Sequence, residues 1–492
     1  MSDRPRMFRF DLLDATGVFL GLGLAQLAVL AAGTLASTLL LSGGMPLPIA
    51  ALPVGGAGAV ALGRLRGERV IDILPTAASW FVHRRDRRWF APLCVLTADS
   101  ENPLALPPWL DGVGLVEAPG TWGRLAGAGI VDDAPSGELS CLVRVAGPAF
   151  ALAPRDEQVR LLSGWGDVLA AFATERGLVA RLSWSDFATA TALTEHRGWL
   201  ARRQLNGHAA DAYGELITAQ GALSASHEVI VTITVARHRL SGSTRPADAR
   251  DRLMSGLGNA VEGLLRAVRA AGLSADDPLT AIEVAAALRA RLEPRGSSQT
   301  SGDRSLAARL GLVTPTNAGP VATETTWTRL RTDGGLHRTF WIAEWPRLQQ
   351  HPDWMEPILA FGVGFTRSIT VMFEPIRPSI SRRRVDRDAI KLDTDATTKE
   401  DKGRRVGAHH RRLQAAVAER EAELVAGYAE VAYAGLVTVS AADEDALRDA
   451  CDETEQVARE HGLELRALDG RHDLAFAACL PLGLGLARTR VQ

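Results

Sequence analysis

Three lysines in a chain of 492 residues, Lys391, Lys399 and Lys402, exclude one large class of chemistry. A Walker A loop needs a lysine directly after glycine to reach the phosphates of a nucleotide. The residues before these three are Ile390, Thr398 and Asp401, so the sequence contains no P-loop. It also lacks a G-x-S-x-G elbow, an H-E-x-x-H pair and any C-x-x-C pair, which removes the usual serine-hydrolase, zincin and zinc-ribbon signatures. No catalytic residue, cofactor or metal ligand is therefore assigned. Cysteine is scarce as well: Cys94, Cys141, Cys451 and Cys479 are far apart, which suits reduced, buried thiols in a reducing compartment better than disulfides. Lys+Arg 55 against Asp+Glu 57 leaves a formal charge of -2, so no global basic field argues for nucleic acid.

The longest absence is of charge. No ionisable residue occurs between Asp14 and Arg64, and the run is broken by Ser42-Gly43-Gly44 with Pro46 and Pro48. Two transmembrane spans fit that space, 15–41 and 44–63, the second only just long enough for an apolar layer of about 30 Å and kinked at Pro53. Arg4, Arg6 and Arg9 precede the first run, and Arg64, Arg66 and Arg69 follow the second. By the positive-inside rule both ends of the hairpin face the cytoplasm. A cleaved signal peptide would leave the second apolar run unexplained.

Past Arg69, the residues Val70, Leu74, Ala77, Ala78, Phe81 and Val82 recur at helical spacing, and Arg84, Arg85, Arg87 and Arg88 follow, with Trp80, Trp89 and Phe90 among them. That composition predicts an amphipathic helix lying at a lipid headgroup layer, with Arg64, Arg66, Arg69, Trp80, Arg84, Arg85, Arg87, Arg88 and Trp89 as membrane-interface residues. An ordinary surface helix with a basic end is the competing reading.

The remaining four hundred residues read as α+β. Strands are predicted at 139–145, 178–184, 228–235, 337–344, 367–374, 430–439 and 463–468, and helices at about 247–270 and 443–460. A helix starting near Pro154 places Leu161, Trp165, Val168 and Phe172 on one face, the pattern of core packing. A long polar helix is expected over 398–428. Repeated strand-helix-strand units without nucleotide-loop glycines suggest ferredoxin-like subdomains. The expected organisation is 1–90 for the hairpin and basic segment, 91–292 for one cytoplasmic α+β domain, 293–325 for a linker-like segment, and 326–492 for a second α+β domain.

Three polar features remain. Asp393-Thr394-Asp395 matches the short D-x-D pattern with which some glycosyltransferases hold a metal-bound nucleotide sugar, but it falls in a polar connecting stretch. His409 and His410 are adjacent, so on a helix they point to different faces, as on a solvated basic surface. The runs Arg382-Arg383-Arg384 and Arg404-Arg405 with Arg411-Arg412 read as a solvated face balanced by Glu419, Glu421 and Glu423, or as contacts to an anionic surface.

The order of parts resembles the actinobacterial membrane proteins of type IV, conjugation-type secretion loci, in which a PrgI-like hairpin is joined to a cytoplasmic domain. The resemblance rests on Gly67 to Trp89, Leu161-Leu162-Ser163-Gly164-Trp165-Gly166-Asp167-Val168-Leu169, Trp341-Ile342-Ala343-Glu344-Trp345-Pro346 and Phe373-Glu374-Pro375. The end, from Tyr433-Ala434-Gly435-Leu436-Val437-Thr438-Val439 to Leu480-Pro481-Leu482-Gly483, is similar to the close of the N-terminal domain of the VirB-type secretion ATPase. The resemblance implies a non-enzymatic, multi-pass scaffold of the cell (inner) membrane, oligomeric within a complex, that docks a separate VirB-type ATPase and other secretion-machine subunits. The two-span subunit of a type VII (ESX) secretion core shares the layout. A membrane-anchored glycosyltransferase built on Asp393 and Asp395 is the enzymatic alternative.

Overall fold

The computed structural model describes residues 24–65, 68–82, 87–91, 106–190, 200, 202–203, 207–221, 225–240, 246–293, 313–315, 318–346, 348, 350–360, 362, 365–401, 403 and 405–486. The apolar run forms α1 (Leu24–Ser42), α2 (Leu47–Ala50) and α3 (Leu52–Leu62). A small ladder, β1 (Arg64–Leu65) and β2 (Glu68–Arg69), leads into α4 (Val70–Val82) and β3 (Arg88–Phe90). The body then runs through β4 (Val113–Glu117), β5 (Gly129–Asp133), β6 (Glu138–Ala146), α5 (Arg155–Ala170), β7 (Val179–Ala190), α6 (His208–Gly221), β8 (Ala225–Ala236), α7 (Pro246–Ala270), β9 (Ser274–Pro278) and α8 (Ala281–Leu292). Beyond residue 321 come β10 (Ala322–Thr325), β11 (Leu330–Thr332), β12 (Gly335–Glu344), α9 (Glu356–Ala360), β13 (Thr366–Pro375), α10 (Pro378–Asp401), α11 (Ala408–Val425), β14 (Val431–Ala441), α12 (Glu444–Glu460), β15 (Glu464–Ala467) and α13 (His472–Cys479).

The architecture is α+β on one large antiparallel sheet of 13 strands, in the order β3-β10-β11-β12-β14-β13-β7-β8-β6-β5-β4, with β15 also on β12 and β9 also on β6. Two halves of this order repeat each other. In the first, β6-α5-β7 and β8-α7-β9 interleave as β9-β6-β8-β7. In the second, β12-α9-β13 and β14-α12-β15 interleave as β15-β12-β14-β13. Each half is a split β-α-β unit. Each is preceded by a hairpin (β4–β5, β10–β11), carries a helical insert between its second and third strands (α6, α10–α11) and is followed by one more helix (α8, α13). The halves join edge to edge where β7 pairs antiparallel with β13 from Leu182↔Phe373 to Ala188↔Arg367.

The strand pleat explains why the two faces differ. One face carries Leu139, Cys141, Val143, Leu182, Val231, Ile233 and Val235 beneath α5 and α7, and Phe340, Ile342, Ile369, Val437 and Val439 beneath α12. Each such side chain contributes about 1.5–3 kcal/mol on burial, and Val168 of α5 and Phe172 just beyond its end pack into this core. The other face is a carpet of buried hydroxyls interleaved with apolar side chains such as Leu142, Ile230, Met372 and Leu436. Ser140 bonds Thr234 at 2.8 Å, Thr370 donates to Ser185 at 3.2 Å, and Thr339 bonds Thr438 at 2.9 Å. It is covered by α8, α13 and the segment after α13, whose carbonyls accept from the carpet: Thr370 donates to Cys479 O and Arg181 to Gly483 O.

Some expectations change. The single polar helix of 398–428 is two antiparallel helices, α10 and α11, with Gly403 at φ +65° between them. Residues 378–397 escape a periodicity reading because most of α10 is solvent-exposed. It is held by polar contacts to α11, such as Gln414 Nε2 to Asp393 Oδ1 at 3.2 Å and Arg420 to Asp388 at 3.5 Å. His410 is buried between the two helices with Nε2 on Leu392 O at 3.1 Å, rather than solvated. Cys141, Cys451 and Cys479 are buried free thiols, each pushed up to about 12 by burial. Cys94 lies outside the described residues.

Candidate functional site

The expected membrane module begins with α1, 19 residues without a charge and about 28 Å long at 1.5 Å per residue. Among the described residues it is the one helix long and apolar enough to cross a membrane; residues 15–23 of the expected first span lie outside them. The expected second span is divided. Pro48 sits at the start of α2 and Pro53 in the first turn of α3, where a missing N–H costs little, and α3 has only 11 residues. Two helices that each span are thus not shown.

What the structure does show is close antiparallel contact between α1 and α3. Gln26 Nε2 donates to Ala61 O at 2.6 Å, and Val54 N donates to Ser37 Oγ at 3.1 Å. A Cβ on Gly33 would meet the Ala57 Cβ at 2.3 Å, so glycine is what lets the backbones approach. The contact is of the small-residue kind that membrane helices use. It also brings Arg64 to the level of the N-terminal end of α1.

At this foot β1 and β2 place Arg64 directly opposite Arg69. Like charges facing each other across a ladder are destabilising unless an anion compensates. Helix α4 follows, with Pro75 inside it, and none of its side chains is fully buried; Leu74, Phe81 and Val82 are exposed. The helix is tethered at its end. The Trp80 ring meets Trp327 edge-on at 5.5 Å, and the Arg87 guanidinium lies over the Trp80 ring at 3.3 Å while bonding the Trp80 carbonyl. Beside them Asp473 of α13 is half-buried, its pKa raised by desolvation against the opposing pull of backbone N–H groups, the Thr325 hydroxyl and the charge of Arg87.

The expected interface residues therefore divide. Arg64 and Arg69 sit in the β1–β2 ladder, and Trp80 and Arg87 form the stacked joint. Arg88 and Trp89 belong to β3, which adds to β10 as the last strand of the sheet. Arg88 Nε donates to Glu324 Oε1 at 2.7 Å, and Trp89 pairs with Thr323. Arg66, Arg84 and Arg85 lie outside the described residues. Trp327, Glu324 and Asp473 complete the joint and were not singled out from sequence. The alternation exposed, half-buried, exposed over Arg88-Trp89-Phe90 is a strand signal that the surrounding arginines obscure.

The other candidates do not assemble. Asp393 and Asp395 lie inside α10, where residues two apart point about 200° from each other and cannot share one ion. No group of three or more His, Cys, Asp or Glu side chains poised for a metal occurs among the described residues. No family model matches the chain, and no curated protein matches it.

Proposed function

We propose that this protein is a membrane-anchored scaffold of a type IV-like secretion or conjugation machine, docking a separate VirB-type P-loop ATPase and performing no catalysis itself. The observation that carries the anchoring half is α4, none of whose side chains is fully buried and which leaves Leu74, Phe81 and Val82 exposed, above a foot that holds Arg64 against Arg69. An anionic headgroup layer supplies both the apolar partner and the counter-charge. In this reading α1 spans the inner membrane and α2–α3 returns beside it, the shortness of α3 being accommodated by local thinning. Both termini then face the cytoplasm, and the chain is multi-pass.

The docking half rests on the quoted sequence stretches and on the absence of a P-loop lysine, which leaves the motor to another chain. Rigid attachment of α4 to the sheet through Trp80, Arg87 and β3 gives the scaffold a fixed orientation on the bilayer. The type VII core subunit remains a second reading with the same geometry. The glycosyltransferase reading loses its support with Asp393 and Asp395 on different sides of a helix. Tagged full-length protein purified in detergent from its own membranes is expected to carry a P-loop ATPase in stoichiometric amount. Repeated recovery without any such ATPase would overturn the proposal.

A further inference from the structure

Far from the apolar helices, an open groove of ≈ 520 Å³ lies where the first half of the sheet meets the base of α10. Its cations are Arg176, Arg239, Arg252 and Arg377, with His238 beside them, against two carboxylates, Glu175 and Asp251. Glu175 is already committed. It accepts from the Ser379 N–H at 3.1 Å and the Ser379 hydroxyl at 2.6 Å, and these bonds hold it below the usual carboxylate range.

The remaining charge of Glu175 partly offsets that of Arg377, which stands next to Arg239. Arg377 Nη2 donates to the Arg239 carbonyl at 3.4 Å, which sets the two residues side by side. Arg239 is half-buried; its Nη2 donates to Pro375 O at 3.0 Å, while its Nη1 is buried without a hydrogen-bond partner. Burial and the charge of Arg377 both pull its pKa down, and the opposing carboxylate, Glu374, is shared with Arg181 at 3.6 Å. A buried unpaired donor is costly, the more so when charged, and an anion beside the two arginines offsets that cost.

The walls suit a small molecule. Asp251, Ser255 and Asn259 recur every four residues along α7 and so line one stripe facing the groove. Leu178 and Leu240 supply an apolar surface, and Gly256 is shaped to it, since a Cβ there would meet Leu178 Cδ1 at 2.4 Å. The volume falls in the range of ligand sites. From β3 the groove is six strand steps away at β7, about 29 Å across the sheet, which removes it from the membrane foot.

We propose that this groove binds a phosphate-bearing small molecule of nucleotide size, its phosphate held by Arg377 and Arg239, with Arg176 and Arg252 at the rim and its organic part against Leu178 and Leu240. This inference is independent of the scaffold reading. Calorimetric titration of the full chain in detergent with inorganic pyrophosphate and with ADP is expected to show saturable binding. Arg377→Gln should weaken it at least tenfold with an unchanged melting temperature, Arg377→Lys should retain part of it, and Arg448→Gln should leave it intact. Binding to phosphatidylglycerol vesicles should be the same for Arg377→Gln as for the unaltered chain. Absence of binding to both probes, undiminished binding in Arg377→Gln, or loss of vesicle binding in Arg377→Gln would each overturn the proposal.

Discussion

Arg181→Met is expected to lower the unfolding free energy by about 3–5 kcal/mol, the cost of breaking a buried ion pair from one side. Arg181 is 4% exposed in β7. Its Nη2 donates both to Glu138 Oε2 at 2.5 Å and to the Gly483 carbonyl at 2.8 Å, and its Nη1 lies 3.6 Å from Glu374. Removal leaves Glu138 buried with its charge unanswered and takes away the shorter of the two hydrogen bonds that the sheet gives the Gly483 carbonyl. Glu138→Gln, which keeps an acceptor, should cost markedly less. The same segment is held by geometry at Gly483, which has φ +69°, and where a Cβ would meet Ser140 Oγ at 2.4 Å and Thr234 Oγ1 at 2.6 Å. Gly483→Val should therefore match the arginine variant. The check is the urea midpoint of the full chain in detergent, followed by tryptophan fluorescence; an Arg181→Met midpoint equal to that of the unaltered chain would refute the argument.

Acid should destabilise the second half of the sheet from just below neutral pH. His337 is fully buried in β12, between the Thr332 hydroxyl at 2.8 Å and the Ser440 hydroxyl at 2.7 Å, with its ring 4.4 Å from that of Phe476. Burial lowers its pKa from 6.5 to about 3. Between those values the unfolded chain holds a proton that the native chain refuses. Stability therefore rises with pH in that window and is lost as pH falls from 6.5 toward 3, at up to about 1.4 kcal/mol per unit. By pH 4.5 the loss is about 3 kcal/mol. His472, buried against the Thr339 N–H, is also lowered and adds to it with the same sign. His337→Gln, with hydrogen bonding retained, should start less stable at pH 7.5 and show a flatter decline; parallel curves for both proteins would exclude His337 as the source.

The legible parts of the fold are those whose periodicity reports burial. In β8, Val231, Ile233 and Val235 alternate with Thr232 and Thr234. In α12, Asp443 caps the helix by accepting from the Ala446 N–H at 2.9 Å, and Leu447, Ala450, Cys451 and Thr454 turn inward. The five-residue β4 and β5 and the still shorter β10 and β11 have too few residues for a period to show. Helix α13 is hidden for the opposite reason: Ala475, Phe476, Ala477, Ala478 and Cys479 are all buried, so no polar face marks the turn of the helix. The pairing of β7 with β13 joins residues some 185 positions apart, as between Ser185 and Thr370, and no local pattern encodes it. At the candidate site the arginines and Trp80 were legible by composition. Their roles were not, because the partners that separate a joint from a lipid-facing collar, Trp327, Glu324 and Asp473, lie more than two hundred residues away.

The most direct test of the membrane account introduces one cysteine at a time into a Cys94→Ser background, in which Cys141, Cys451 and Cys479 are buried, and applies a membrane-impermeant maleimide to intact cells. Ser42→Cys, at the far end of α1, should be labelled from outside, whereas Arg69→Cys, at the foot, should be labelled only after the membrane is opened. Labelling of both positions in intact cells, or of Ser42→Cys only after lysis, would contradict a hairpin that enters and leaves on the cytoplasmic side.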